Sequence, residues 1–151
     1  MVKNSLTRSR RRSSRGEAGF TLVEILVVIT IIGLIMSFVG PRVLNYLGDS
    51  KVKAAKIQVE GLASAIELYH LDTGLYPSNS EGLSSLLQRP GNVTGWNGPY
   101  LKGHGLPSDP WGKPYVFRAP GQQSAYDVVS YGADGREGGT GASADIVSWA
   151  R

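Results

Sequence analysis

The sequence predicts an α+β fold, with one very long helix first and a small antiparallel sheet after it. Three observations carry this. From Phe20 to Val39 the chain reads FTLVEILVVITIIGLIMSFV, an apolar run whose only charge is Glu24. Directly after it, apolar residues recur at helical spacing as far as Tyr69. Beyond Gly74 the texture changes to Gly, Pro, aromatics and short alternating segments. Strands that follow a helix without βαβ alternation point to α+β.

The first nineteen residues are a basic leader. Lys3, Arg8, Arg10, Arg11, Arg12 and Arg15 stand against Glu17 alone, a net +5. The whole chain carries only +4, so the rest is −1 and the high pI belongs to the leader. A basic tract can serve nucleic acid. Here it abuts a long apolar run, which marks it instead as the flank that stays in the cytoplasm. No nucleic-acid partner is expected.

Residues 20–42 read as a transmembrane helix. About twenty residues at ~1.5 Å each span roughly 30 Å, the hydrocarbon thickness of a bilayer. A secretory signal peptide would have a shorter core and a small-x-small cleavage site after it. The residues that follow, Met36, Ser37, Phe38, Val39, Gly40 and Pro41, supply none. Proline lacks the backbone donor and crowds the preceding turn, so a kink or local unwinding is expected near Gly40–Pro41.

Residues 43–151 form the globular part. Ala55, Val59, Leu62, Ile66 and Tyr69 recur at alternating steps of four and three, and Ile57, Ala65 and Leu68 widen the stripe. Lys53, Lys56, Glu60, Ser64 and Glu67 take the other side, with Lys56 and Glu60 at i,i+4. The helix is expected to run from Phe20 to Leu71 and to stop at Asp72–Thr73–Gly74, where glycine takes the left-handed C-terminal position. Ser80–Gln88 reads as a short helix stopped by Pro90. Gly91–Pro114 is a loop anchored by Trp96, Tyr100 and Trp111. Tyr115–Arg118 and Ala125–Tyr131 alternate as two strands joined by a turn at Ala119–Ser124, and Ile146–Trp149 returns as a third. The stretch Gly132–Ala144 holds five glycines and is no regular element.

Few residues suggest chemistry. With no cysteine, a disulfide framework or thiol nucleophile is excluded. His70 and His104 are far apart and read as surface or helix-end residues. No serine stands in a G-x-S-x-G context. The segment Asp134–Asp145 combines glycines with carboxylates, which suits a flexible cage of oxygen ligands. It is not an EF-hand, because Arg136 breaks that pattern. Gly138-Gly139-Thr140-Gly141 resembles the opening of a calcium β-helix repeat, but Ser143 stands where Asp is needed and there is one copy.

Gly19-Phe20-Thr21-Leu22-Val23-Glu24, behind a basic leader and before an apolar run, resembles the processing signal of type IV pilins and pseudopilins. The resemblance implies removal of residues 1–19 by cleavage between Gly19 and Phe20, with N-methylation of Phe20 by the same prepilin peptidase. Leu75-Tyr76-Pro77, Glu81-Gly82-Leu83, Gly98-Pro99-Tyr100-Leu101-Lys102, Leu106-Pro107, Asp109-Pro110-Trp111-Gly112-Lys113-Pro114-Tyr115, Tyr131-Gly132-Ala133-Asp134-Gly135, Gly138-Gly139, Ala144-Asp145-Ile146 and Trp149 then follow in order. Together they resemble the major pseudopilin family of bacterial type II secretion across nearly the whole mature chain.

That resemblance implies a pilin-like fold, a periplasmic domain on a single-pass inner-membrane helix, and polymerisation into a periplasmic pseudopilus that drives export of folded proteins. Implied partners are further copies of itself, minor pseudopilins, the peptidase/methyltransferase, the assembly platform with its cytoplasmic ATPase, and the outer-membrane secretin. It also implies a calcium ion near the C-terminus, with Asp134 and Asp145 as candidate ligands. Many relatives carry an acidic residue just after the paired glycines, where this chain has Thr140-Gly141-Ala142-Ser143. Glu24 gains a role in assembly. A charge at the centre of a membrane helix costs about 2.5–3.5 kcal/mol on insertion scales, and cleavage creates a partner in the amine of Phe20, on its own or a neighbouring subunit. The alternative is a type IV pilus subunit for adhesion, motility or DNA uptake. Many such pilins close a C-terminal loop with a disulfide, which this chain lacks. A membrane-tethered enzyme would need a catalytic cluster, and the sequence offers none.

Overall fold

The structure is a computed structural model and describes residues 19–103 and 105–150. The basic leader, apart from Gly19, and His104 lie outside the described residues. The chain divides into two units between Gly40 and Pro41.

Helix α1 runs from Leu22 to Thr73. It starts two residues later than expected because Thr21 caps it, its hydroxyl accepting the Glu24 N–H at 3.2 Å. The expected unwinding at Gly40–Pro41 is not found, and Pro41 lies inside continuous helix. A single proline removes one intrahelical bond, and the long helical stretches on either side outweigh that local loss. The C-terminal end is as expected. Gly74 takes φ +73° and its N–H bonds to the His70 carbonyl at 2.8 Å.

The C-terminal part of α1 buries Ala55, Val59, Leu62, Ala65, Ile66 and Tyr69. Ile57 and Leu68, expected to widen this stripe, are 70% and 52% exposed. Each sits two residues, roughly 200° of helix, from a buried position, and so projects away from the sheet. After the helix, the segment expected as Ser80–Gln88 is only a 3-10 helix, Gly82–Leu86. Ser84 and Ser85 explain this, because their hydroxyls bond to the carbonyls of Glu81 and Gly82, three residues back, and compete with an α-helical ladder. Trp96, Tyr100 and Trp111 pack half-buried against the core and anchor the loop as expected.

The sheet has order β1-β2-β3, all antiparallel, with β1 Val116–Arg118, β2 Asp127–Ser130 and β3 Ile146–Val147. Val116 faces Val129, and Val129 faces Val147 in turn. Every residue of central β2 is buried. The third strand is shorter than expected because the Val128 N–H bonds to the Ser148 side chain, at 3.0 Å, instead of a backbone carbonyl.

Two tyrosines tie the helix to the sheet side. The Tyr115 hydroxyl donates to Gln58 Oε1, and the Tyr126 hydroxyl donates to Glu67 Oε1 at 3.0 Å and to the Ala63 carbonyl at 3.2 Å. Burial, with the nearby Asp109 charge adding to it, pushes the Tyr115 phenol up to about 12. Burial and the bond to Glu67 push Tyr126 up as well. Both groups keep their protons in the folded state at pH values where an unfolded tyrosine, with pKa about 10, loses them. Their contribution to stability is therefore complete below about pH 10. It is lost as pH rises through the folded Tyr115 value of about 12. Melting the protein in detergent at rising pH, with phenolate absorbance followed in parallel, should show the midpoint falling across this window together with a cooperative phenolate step. A level midpoint with gradual ionisation would contradict the tethering role.

Candidate functional site

The N-terminal site is a helix start with an exposed junction before it. Gly19, Phe20 and Thr21 are exposed and precede the helix, so the expected scissile bond lies in non-helical backbone. From Phe20 to Val39 every residue is exposed. Thr30 and Ser37 turn their hydroxyls onto the carbonyls of Leu26 and Leu34, at 2.7 and 2.8 Å. Their polarity is thereby met within the helix. Glu24 differs. Its backbone N–H is capped by Thr21, while its carboxylate projects from the first turn, where the helix dipole favours negative charge. Thr21-x-x-Glu24 has the spacing of a capping box, of which the hydroxyl half is made.

The second site is the loop from Tyr131 to Asp145, which joins β2 to β3. All five of its glycines have positive φ. Backbone approaches closely at Gly132, where a Cβ would lie 2.8 Å from the Ala142 carbonyl oxygen and 2.9 Å from that of Ala144, and more closely still at Gly139, where it would run into the Ser143 carbonyl oxygen. The loop closes on itself through the Ala133 N–H to Ala142 carbonyl bond at 2.9 Å. The two expected carboxylates behave differently. Asp134 is exposed and accepts the Arg136 N–H at 3.1 Å in a local turn. Asp145 is half-buried. Its Oδ2 accepts the Gly138 N–H at 2.9 Å, and its Oδ1 is buried with no hydrogen-bond partner. Among the described residues no group of three or more His, Cys, Asp or Glu side chains comes together. Any cation here would therefore rest largely on backbone oxygens.

The root of this loop is braced by residues outside the predicted site. Asp109, only 4% exposed, accepts the N–H of Trp111 at 3.1 Å, the N–H of Lys113 at 2.8 Å and the Ser130 hydroxyl at 2.7 Å. The Gly112 N–H closes the turn onto the Asp109 carbonyl at 2.8 Å. The Lys113 ammonium then donates to the carbonyls of Ala133 and Gly132, at 2.9 and 3.4 Å. The signal was readable, since Asp109-Pro110-Trp111-Gly112 has the residues a type I turn prefers at its first, second and fourth places. What the sequence does not display is that this turn faces a loop twenty residues on. Asp127, 1% exposed, plays a similar part for the β1–β2 connection, accepting the Gln122 N–H at 2.6 Å. His70 sits in the last turn of α1, half-buried and stacked on Tyr76 with ring centroids 4.0 Å apart.

Comparison with known proteins places both sites in one family. Residues 14–40 match the prokaryotic N-terminal methylation motif, and residues 42–149 match the family of Type II secretion system (T2SS), protein G. The chain is 44% identical to Type II secretion system core protein G of Xanthomonas campestris, over 97% of this chain and 98% of the relative. It is also 44% identical to the protein of that name from Pseudomonas aeruginosa, over 89% and 96%. Among solved structures, the major pseudopilin from the type 2 secretion system of enterohaemorrhagic Escherichia coli superposes with a TM-score of 0.56 at 30% identity. That match covers 66% of this chain and 87% of the other. The likeness thus runs from the methylation motif through the glycine loop to Trp149, and it favours secretion over a surface pilus. On this evidence the chain belongs to the type II secretion system protein G family, that of the major pseudopilins.

Proposed function

We propose that this chain polymerises through its N-terminal helix into a periplasmic pseudopilus that drives export of folded proteins. On this reading it waits in the inner membrane as a single-pass protein before assembly. The observation that carries the reading is the stretch of helix from Leu22 to Val39, which is apolar but for Glu24, Thr30 and Ser37, exposed throughout, and long enough to cross a bilayer. Such a surface must be covered. Lipid covers it before assembly, and the same helices of other copies cover it afterwards. The methylation motif over residues 14–40 supports cleavage between Gly19 and Phe20 and N-methylation of Phe20. Minor pseudopilins, the assembly platform with its ATPase and the secretin are the partners this reading requires.

Glu24 gives the assembly its register. Cleavage leaves an ammonium on Phe20 one turn from the Glu24 carboxylate, and pairing with the amine of the next subunit offsets the cost of holding a charge in apolar surroundings. Intact mass of the membrane-extracted protein should show a chain beginning at Phe20 and one methyl heavier. A chain beginning after Ser37 or later would point to an ordinary signal peptidase.

Replacing Glu24 removes an expensive charge, so Glu24→Leu should insert as well as wild type and keep its melting temperature while filament yield collapses. Normal filaments from that variant would refute the pairing.

The glycine loop is the proposed calcium site. Asp145 supplies an oxygen with no other partner, Asp134 a second carboxylate, and loop carbonyls the remainder of the six to eight oxygens calcium prefers. Bound there, the ion would act as a structural cross-link. A ligand held only by the folded state stabilises it by about 2.7 kcal/mol at a hundred times its dissociation constant. Melting in millimolar calcium and again in chelator should therefore give distinctly different midpoints, and Asp145→Ala should abolish the difference. Coincident curves for the wild-type protein would remove calcium from the account.

A further inference from the structure

The loop carries acidic groups at Asp134, Glu137 and Asp145, yet the charge that touches its root is positive and comes from elsewhere in the chain. Lys113 lies three residues before the start of β1. Its backbone is held at both ends, with its N–H on Asp109 Oδ1 at 2.8 Å and its carbonyl accepting the Asp109 N–H at 2.8 Å. The side chain therefore leaves a fixed platform. It passes so close to Gly135 that a Cβ there would sit 2.9 Å from Lys113 Cε and 3.0 Å from Cδ, and Gly135 has φ +69°. The ammonium ends on two loop carbonyls, those of Ala133 and Gly132.

Two adjacent carbonyls turned toward one point repel each other unless a donor or cation lies between them. Lys113 fills that role with a covalently attached charge. The other end of the loop has no such device. There Asp145 holds the Gly138 N–H with one oxygen and has the other free.

We propose that Lys113 is a positioning residue for this loop, a built-in cation that fixes residues 131–136 and leaves residues 137–144 as the part that a divalent ion orders. The proposal rests on the calcium reading above for the second half of the loop and is independent of it for the first. A lysine can do this where a metal would not serve, because its four-carbon stem sets the charge at one place irrespective of ion concentration.

Hydrogen–deuterium exchange on the full-length protein in detergent, read as separate peptides for the two halves, tests it. In chelator, wild type should protect residues 131–136 more than residues 137–144, and added calcium should slow the second half strongly and the first half only at the turn around Asp134. Lys113→Met keeps the stem and removes the charge. It should speed exchange in the first half about tenfold in chelator, with β2 unchanged, and should weaken calcium binding. Lys113→Arg should restore both. Local exchange with an unaltered β2 separates positioning from general destabilisation. If Lys113→Met does not fold, Lys113→Gln takes its place. Unchanged exchange in the first half, or calcium bound as tightly without the ammonium as with it, would overturn the proposal. If wild type binds no calcium, the calcium reading fails and the chelator experiment alone decides the role of Lys113.

Discussion

The globular unit depends on one packing interaction, the burial of the Ala55–Tyr69 face of α1 against the chain that follows. The three strands comprise three, four and two residues. A sheet that small has too little apolar surface to be stable alone. Val59, Leu62, Ile66 and Tyr69 are each at most 1% exposed and supply the large side chains on which Leu86, Val128 and Ile146 close. At about 25 cal/mol per Å² of apolar surface removed from water, a face of this kind contributes more than the few ladder hydrogen bonds can.

Because the core is small, loops hold much of the remaining order, and they do so with charge. Asp109 and Asp127 are buried carboxylates, which is tolerable only because backbone and hydroxyl donors surround them. Each joins two segments. Asp109 links its own turn to Ser130 at the end of β2, and Asp127 links the start of β2 to the connection that precedes it. Removing the Asp109 carboxylate would orphan three donors at once, and for that reason it counts for more than a single hydrogen bond.

Much of this was legible in the sequence because the signals were periodic or compositional. The five residues at four-and-three spacing are all buried, Gly74 takes the left-handed position, and the three strands lie where alternation put them. The errors arose where a side chain overrode a propensity. Thr21 set the helix start, the serines after Gly82 tightened an expected α-helix into a 3-10 turn, and Ser148 ended β3. Pro41 is the opposite case, where a strong local breaker sits within an element long enough to absorb it. At the sites, Gly19, Phe20 and Glu24 were readable because their motif is contiguous. Lys113 was not, since its partners Gly132 and Ala133 are brought to it only by the antiparallel order of β1 and β2.

The absence of cysteine gives that last arrangement its meaning. A disulfide would hold a long glycine-rich loop mainly by limiting the unfolded chain, whatever the surroundings. An ammonium and a half-satisfied carboxylate do it electrostatically, one permanently and one conditionally. Lys113 keeps the root of the loop in place beside β2, so the conditional part is confined to the residues near Asp145. Ordering a short segment costs less conformational entropy than ordering fifteen residues, at about 1–2 kcal/mol of backbone entropy each. On the calcium proposal, a site built mainly from carbonyl oxygens would complete it. In the proposed reading, the ion acts on a loop whose root is already held by the fold.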